Sequence, residues 1–314
     1  MIVWERRVPL RPFTTLRAGG PAESLFIARG VEDLAEAALE AQAEGVPVLL
    51  LGSGSNILPA DRGVAGRVVV NEARNIMVDR ESGEVLADAG CGFQDLFLAC
   101  AQAGLGGLEF AVGIPGTLGG ALVSNAGAYR SNVSEFLVSI ELVEAGARRW
   151  EAPSWMRFAY RDSILRRPNP PACALLRVKM KLPRRPRKEI YDEAREYQRQ
   201  RISKQPPSAS AGSFFKNVED RALAERLPQL APGLKAAGVV PAGHLIEHAG
   251  LRGHRIGGAM FAHRHANFIV NVGGATATDI RLLAHFGRDR VLETFGVTLE
   301  EEVLYVGDWS NFSS

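Results

Sequence analysis

Three short polar clusters in this 314-residue chain carry residue types suited to acid–base or anion chemistry. Tyr160-Arg161-Asp162-Ser163 follows the aromatic stretch 155–158. A guanidinium there can grip a carboxylate or a developing oxyanion through its planar fork of donors, and a surface ion pair is an equally good plain reading. In Ser210-Ala211-Gly212-Ser213-Phe214-Phe215-Lys216-Asn217, Ser213 lies between a glycine and two aromatics, which suits a hydroxyl held in a defined, partly dry place. Lys216 and Asn217 are natural phosphate contacts; the plain alternative is a hydroxyl turn capping a strand. In Leu299-Glu300-Glu301-Glu302-Val303, a strand puts Glu300 and Glu302 on one face and Glu301 on the other. A carboxyl beside a buried site has its pKa raised by desolvation and can serve as a general acid. For two of the three glutamates a solvated acidic turn is the simpler expectation. His244 and His248, and His263 and His265, have no carboxylate or cysteine at ligand spacing, so no metal is expected.

These side chains need something to act on, and two glycine-rich segments indicate it. Residues 104–129 hold eight glycines, at 104, 106, 107, 113, 116, 119, 120 and 127, separated by small or apolar residues. Glycine collects where φ must be positive or the main chain must approach something closely. Backbone amides exposed in this way suit a ligand with phosphate or ring-carbonyl oxygens. The other segment, Gly52-Ser53-Gly54-Ser55-Asn56, follows a buried apolar strand and reads as a pyrophosphate cradle. It matches neither G-x-G-x-x-G nor a Walker loop. Together the two segments read as two walls around one extended, phosphate-containing cofactor.

The elements that must position these residues are legible in outline. Val31–Glu44 has helical apolar spacing and ends at Gly45; Val46–Leu51 is a buried strand. Strands Ile76–Asp79 and Val85–Ala89 turn at Ser82-Gly83, and Gln94–Gln102 is a helix stopped by Gly104. A hairpin of Val138–Val143 and Ala147–Trp150, a strand Ala174–Leu182 and a helix Glu189–Arg201 follow. SKQPPSASAG (203–212) has the composition of a linker. Beyond it come a helix near His244–His248, a strand Asn267–Val272, a helix Thr278–Phe295 and a last strand Glu302–Val306. With 46% hydrophobic and 23% charged residues the chain reads as a globular protein of two or three units. A formal charge of +2 gives no case for nucleic acid or a membrane as partner. Three cysteines without C-x-x-C spacing argue against disulfides or a zinc ribbon. Without an apolar leader or span, the expected location is the cytoplasm and the expected state a monomer.

Five motifs in order (GIPGTLGGALVSNAGAY, YRDSIL, SAGSFFKN, IGGAMFAHRHANFIVN and LEEEV) resemble the UDP-N-acetylenolpyruvoylglucosamine reductase (MurB) family, over roughly Thr14 to Gly307. The resemblance implies an α+β flavoprotein with the FAD-binding fold of the vanillyl-alcohol-oxidase/PCMH type and a small α/β substrate-binding domain. It implies a first FAD-binding part at 1–70, a second at 71–205 joined by the C-terminal strand 299–314, and the substrate-binding domain at 206–298. FAD is then held noncovalently by Gly52, Ser53, Gly54, Ser55, Asn56, Gly113, Ile114, Pro115, Gly116, Gly119, Gly120, Asn125, Ala126 and Gly127. NADPH is the hydride donor, and the substrate is a UDP-sugar enolpyruvyl ether, contacted by Tyr160, Lys216 and Asn217. Carried onto matching positions, Arg161 and Glu302 polarise or protonate the substrate carboxylate, and Ser213 gives a proton to C2. Val239 and His244 stand where many relatives carry lysine and tryptophan, leaving Lys235 or Arg252 to replace a phosphate contact. Two competing readings remain. Another flavin-dependent sugar or alcohol oxidoreductase on this fold usually tethers its flavin to a His or Cys, and Cys91 and Cys100 sit in no such pattern. A non-catalytic nucleotide-binding module has no need of Arg161, Ser213 and Glu302 together.

Overall fold

Helical spacing at Val31, Leu34, Ala35 and Ala38 becomes helix α1 (Val31–Glu44), closed by Gly45 at φ 66° in the left-handed region. The computed structural model describes residues 2–312, so residues 313 and 314 of the C-terminal stretch lie outside the described residues. The chain divides into two compact units. One comprises Met1–Val8, Ala22–Gly54 and Ala65–Ser203; the other comprises Pro9–Pro21, Ser55–Val64 and Lys204–Ser314.

The first unit holds two principal sheets. One has the order β1-β2-β5-β3, from β1 (Glu5–Pro9), β2 (Pro21–Ala28), β3 (Val48–Leu51) and β5 (Val64–Asn71). Strands β3 and β5 run parallel, Leu50 opposite Val69, and α1 covers this region through Leu34, Ala37 and Ala38. The second sheet has the order β11-β10-β12-β7-β6, from β6 (Ile76–Val78), β7 (Glu84–Asp88), β10 (Leu137–Glu144), β11 (Ala147–Glu151) and β12 (Cys173–Lys181). Its core partners come from α2 (Phe93–Ala103), α3 (Leu118–Val123) and α4 (Arg187–Lys204), through Phe93, Leu96, Leu118 and Ile190. The short hairpin β8 (Gly127–Ala128) and β9 (Ser131–Asn132) completes this unit.

A buried ion cluster ties three strands of the second sheet. Glu141 of β10, 5% exposed, accepts from Arg148 Nε of β11 (2.7 Å) and Arg177 Nε of β12 (2.5 Å). Burial pushes its pKa up, but the two guanidiniums outweigh that and hold it below the ordinary 4.5. Removing one partner of such a cluster strands the others. Glu141→Gln is expected to cost about 2 kcal/mol at pH 7, less than for a fully buried pair because both arginines touch solvent. A depressed carboxylate contributes stability above its unfolded pKa and loses it as pH falls through the folded one. The gap between variant and parent urea midpoints should therefore be full above about pH 4.5 and close in more acidic solution. A gap independent of pH would remove the charge from this account.

The second unit is organised by a sheet of order β13-β18-β17-β16, from β13 (Ala209–Ser213), β16 (Arg255–Ile256), β17 (Ala259–Phe261) and β18 (Phe268–Asn271). Helix α8 (Ala277–Phe295) packs on it through Ile280, Leu283, Ala284 and Val291. Thr276 and Asp279 form a capping box at its start, and Asp61 accepts from the Ala277 and Thr278 amides, both at 2.8 Å. Helices α5 (Arg221–Arg226), α6 (Pro232–Ala237) and α7 (Ala242–His248), with the pair β14 (Val218–Glu219) and β15 (Val239–Val240), fill one side. Strand β4 (Ile57–Pro59) pairs in parallel with the last strand, β19 (Leu304–Val306), which puts the C-terminal strand in this unit.

Three local expectations need correction. The linker-like SKQPPSASAG keeps only 205–208 outside regular structure: it begins in the end of α4 and runs into β13, where pairing of Ala209 with Asn271 and Ser210 with Val270 overrides its Ser-rich composition. The glycine-rich segment, where the residue pattern indicated no element, contains the short helix α3, capped by Thr117. The last strand begins at Leu304, two residues late; Glu301 instead makes a separate antiparallel bridge to Phe215. No helix among the described residues is long and apolar enough to cross a membrane, and none of their His, Cys, Asp and Glu side chains group to hold a metal ion.

Candidate active site

In the first unit the two glycine segments meet. A Cβ at Gly52 would lie 2.3 Å from Thr117 Oγ1 and 3.0 Å from its Cγ2. Thr117 cannot swing aside freely, because its Oγ1 accepts from the Gly120 amide at 3.3 Å as the cap of α3. Gly119 lies against the end of the strand region, its amide donating to Ala89 O at 2.7 Å and its missing Cβ 3.0 Å from that oxygen. The turn Gly113-Ile114-Pro115-Gly116 has φ of 70° at Gly113 and 130° at Gly116. Among the described residues the amides of Ser53 and of buried Gly54 donate to no protein acceptor. Asn125, at φ 44°, donates through Nδ2 to Ala159 O (3.0 Å) and leaves a buried Oδ1 without a partner. Close-approach backbone, unclaimed amides and an unclaimed buried acceptor fit FAD, whose pyrophosphate needs donors and whose ring edge offers a donor and acceptors.

Gly52→Ala follows from this packing. Overpacking costs about 1–3 kcal/mol, so FAD affinity should fall about ten- to a hundredfold, read as flavin absorbance per protein during FAD titration. Undiminished FAD content would show that the contact can relax and that Gly52 is not a wall.

The hairpin β8–β9 gathers further groups. Arg161 (φ 52°) sits in the turn closed by Ala159 and Asp162, and its Nη2 donates to Gly127 O at 2.5 Å. Ala126 is anchored by its amide on Ala121 O, and Tyr160 is half exposed with its ring 5.5 Å from the Arg161 guanidinium. Two residues along the hairpin, Tyr129 stacks on Tyr197 at 3.7 Å, and Arg201 of α4 lies 5.7 Å from the Tyr129 ring centre. Arg201 escaped the sequence reading. Burial lowers its pKa, its Nε is buried without a hydrogen bond, and its Cδ would lie 3.1 Å from a Cβ at Gly113. No periodic signal marks such a residue, which is one arginine among many on a polar helix.

In the second unit Ser213 ends β13, after Gly212 at φ 77°, and pairs with Phe268 of β18 across a register shift. The next two side chains, Phe214 and Phe215, are buried, so the chain is anchored just past the hydroxyl. Residues 214–216 then pair with 300–302. The Glu302 amide donates to Phe214 O and the Lys216 amide to Glu300 O, both at 2.8 Å. This antiparallel contact brings the backbones of Ser213 and Glu302 together. Asn56 braces it, its Nδ2 donating to Glu302 O (3.1 Å) and its carbonyl accepting from Leu304 (3.0 Å). The amides of Ser55 and Asn56, like those preceding them, have no protein acceptor among the described residues.

Glu300 and Glu301 part to different surroundings, as alternation demands of neighbours. Glu300 is exposed and pairs with Lys216 Nζ at 2.5 Å. Glu301 points into the unit beside Tyr305, Arg281 and Arg288, and burial raises its pKa. Arg281 lies 4.5, 4.5 and 4.0 Å from the ring centres of Tyr305, Trp309 and Phe312, which pins the C-terminal segment. Of the two glutamates expected in a solvated turn, only Glu300 is there; Glu301 is packed because α8 lies over its face. Asn217 Oδ1 accepts from the Ala242 amide at the start of α7 (3.3 Å). Arg252 is paired with Glu247 at 2.5 Å, Lys235 lies in the last turn of α6, and the His244 ring packs at a tilt against His248. Cys91, Cys100 and Cys173 are free thiols that burial pushes up to about 12.

Comparison with known proteins adds to this geometry. Residues 22–152 match the family described as FAD binding domain, and residues 204–306 match UDP-N-acetylenolpyruvoylglucosamine reductase, C-terminal domain. The chain is 37% identical to the UDP-N-acetylenolpyruvoylglucosamine reductase of Synechococcus sp. (strain JA-3-3Ab), over 97% of this chain and 91% of that protein. It is 37% identical to the reductase of the same name from Rubrobacter xylanophilus, over 96% and 94%. The crystal structure of UDP-N-acetylenolpyruvylglucosamine reductase (MurB) from Thermus caldophilus superposes with a TM-score of 0.77 at 35% identity, covering 98% of this chain and all of that one. The class is a flavin-dependent oxidoreductase of α+β architecture with an FAD-binding domain. Within that class, the chain belongs to the UDP-N-acetylenolpyruvoylglucosamine reductase (MurB) family.

Proposed function

We propose that this chain reduces the enolpyruvyl ether of UDP-N-acetylglucosamine to UDP-N-acetylmuramate, with NADPH as electron donor, as a cytoplasmic monomer serving peptidoglycan synthesis. The observation that carries the reading is the 2.8 Å hydrogen bond from the Glu302 amide to Phe214 O, which joins the acid's segment to the chain beside Ser213 in a family of reductases. The glycine segments 52–56 and 113–127 would hold FAD, which would supply the hydride chemistry between NADPH and the vinyl C3 of the substrate.

The protein's own side chains manage charge and the proton. Hydride addition at C3 leaves negative charge spread over C2 and the carboxylate. Arg161 and Glu302 act on that carboxylate, the cation by its donor fork and the acid by hydrogen bonding as charge develops. The Ser213 hydroxyl gives C2 its proton, so that hydride and proton together saturate the double bond. Lys216 exchanges its Glu300 partner for the diphosphate, with Tyr160 and Asn217 as further substrate contacts. Residues 206–298 form the substrate-binding part, and residues 1–70 and 71–205, joined by the stretch 299–314, hold FAD.

The test is an anaerobic visible spectrum of the purified protein. NADPH should bleach the flavin band, and the enolpyruvyl sugar nucleotide should restore it without oxygen. Bleaching without return would keep a flavin oxidoreductase but overturn this substrate. A colourless protein that takes up no FAD would overturn the whole reading.

A further inference from the structure

A buried polar clamp in the second unit lies outside the set of side chains given a chemical role. Asn267 is 3% exposed and stands immediately before β18. Its carbonyl accepts from the Phe214 amide at 2.7 Å. Its side-chain Oδ1 accepts from the Phe215 amide at 2.9 Å, and its Nδ2 donates to Phe215 O at 2.8 Å. A carboxamide thus does for Phe215 what a neighbouring peptide group does in a sheet, offering one acceptor and one donor side by side. The orientation of the amide is fixed by its partners, since the Phe215 N–H can only face an oxygen. On the other edge Phe214 O accepts from the Glu302 amide, and the next residue, Lys216, donates its amide to Glu300 O. Phe214 and Phe215 are therefore held between Asn267 and the glutamate segment.

We propose that Asn267 is a positioning residue for proton delivery, holding the Phe214–Phe215 backbone so that Ser213 and Glu302 present their side chains together. This rests on the proposed roles of Ser213 and Glu302. The choice of amide follows from the register: Ser213 pairs with Phe268 across a shift in the ladder, so the backbone bonds of an unbroken strand are missing there and the side chain supplies two of them. An alanine leaves a buried N–H and C=O unsatisfied. An aspartate keeps the volume and the acceptor but, when ionised, sets a second lone-pair oxygen against Phe215 O.

That contrast yields a readout which an ordinary packing role does not move. The titratable and charged groups around the clamp are His265, whose Nδ1 accepts from the Asn267 amide at 3.3 Å and whose pKa is lowered by burial, and Glu300, Glu301, Glu302 and Lys216 on the flanking segments. All of them are present in both variant and parent, so the ratio of the two removes their own titration to first order. In the aspartate variant, the protonated carboxyl carries the missing donor.

Asn267→Asp is expected to slow the return of the flavin band with the enolpyruvyl sugar nucleotide about a hundredfold at pH 8, with flavin reduction by NADPH within about twofold of the parent. The variant-to-parent ratio for that step should rise at least about tenfold between pH 8 and pH 5.5, while for Asn267→Ala it stays flat. In the protein without substrate, amide hydrogen exchange of the peptide spanning Phe214 and Phe215 should quicken in Asn267→Asp at pH 8 and slow again at pH 5.5. A ratio that does not change with pH, or equal slowing of both half-reactions, would overturn the proposal. So would loss of FAD or of the far-ultraviolet dichroism spectrum in Asn267→Asp at pH 8, because the residue would then serve the fold at large. Ser213→Ala is run beside it. If Ser213→Ala leaves the substrate step intact, the proposed role of Ser213 has failed; if it slows that step and Asn267→Asp does not, only the role of Asn267 has.

Discussion

Ser213→Ala slows the re-oxidation of reduced flavin by the enolpyruvyl sugar nucleotide about 10²- to 10⁴-fold, the range for a positioned general acid, and leaves reduction by NADPH within about twofold. The structure makes this substitution a clean one. The residue's backbone is held by pairing with Phe268, and the buried rings of Phe214 and Phe215 follow it, so removing one oxygen disturbs little packing. Gly212 carries the positive φ, and the serine itself adopts no strained conformation that alanine would relieve. The check is stopped-flow absorbance of each half-reaction under anaerobic conditions. Equal loss in both halves would take the hydroxyl out of proton delivery and make it a cofactor contact.

Glu302→Gln is the second large effect, about 10²- to 10³-fold on the substrate half-reaction, the size found when a group facing developing charge is removed. Glutamine keeps the length of the side chain. The Glu302 amide still bonds Phe214 O and its carbonyl still accepts from Asn56, so the ladder survives. What is lost is an acidic proton or a full charge at the substrate carboxylate. The neighbouring Glu301→Gln is expected to stay within about threefold in rate, because Glu301 faces Tyr305, Arg281 and Arg288 rather than the side shared by Glu300 and Glu302. If Glu301→Gln were the severe variant and Glu302→Gln the mild one, the assignment of faces in this segment would be wrong. The same single-turnover measurements decide it.

The separation between these two glutamates shows how far pattern reading reaches. Alternation assigns Glu300 and Glu302 to one face and Glu301 to the other; in the structure Glu300 is exposed beside Lys216 and Glu301 lies beside Tyr305, although the strand itself begins later, at Leu304. Alternation has no means of saying which face is covered. Helix α8 and the C-terminal rings decide that by packing beside Glu301, while Glu300 stays exposed and meets Lys216 across 84 residues of sequence.

Local chemistry by itself determined a good deal of this protein. Apolar spacing and a terminal glycine delimit α1 and α2, and two dense glycine segments mark where the backbone passes close to other groups. These signals are local because helix caps, turns and close approach are set by a few consecutive residues. Five ordered motifs placed the chain in its family. Tertiary structure alone decided the contact of Gly52 with Thr117, the Asn267 clamp on Phe215, the docking of Arg201 beside Tyr129, and the membership of 9–21 and 55–64 in the second unit. Each joins groups dozens to hundreds of positions apart, the bond from Asn56 to Glu302 spanning 246. Such partners share no period along the chain; they are chosen by which backbone groups are left unpaired once the sheets have formed, and a buried N–H or C=O takes the nearest group that can satisfy it.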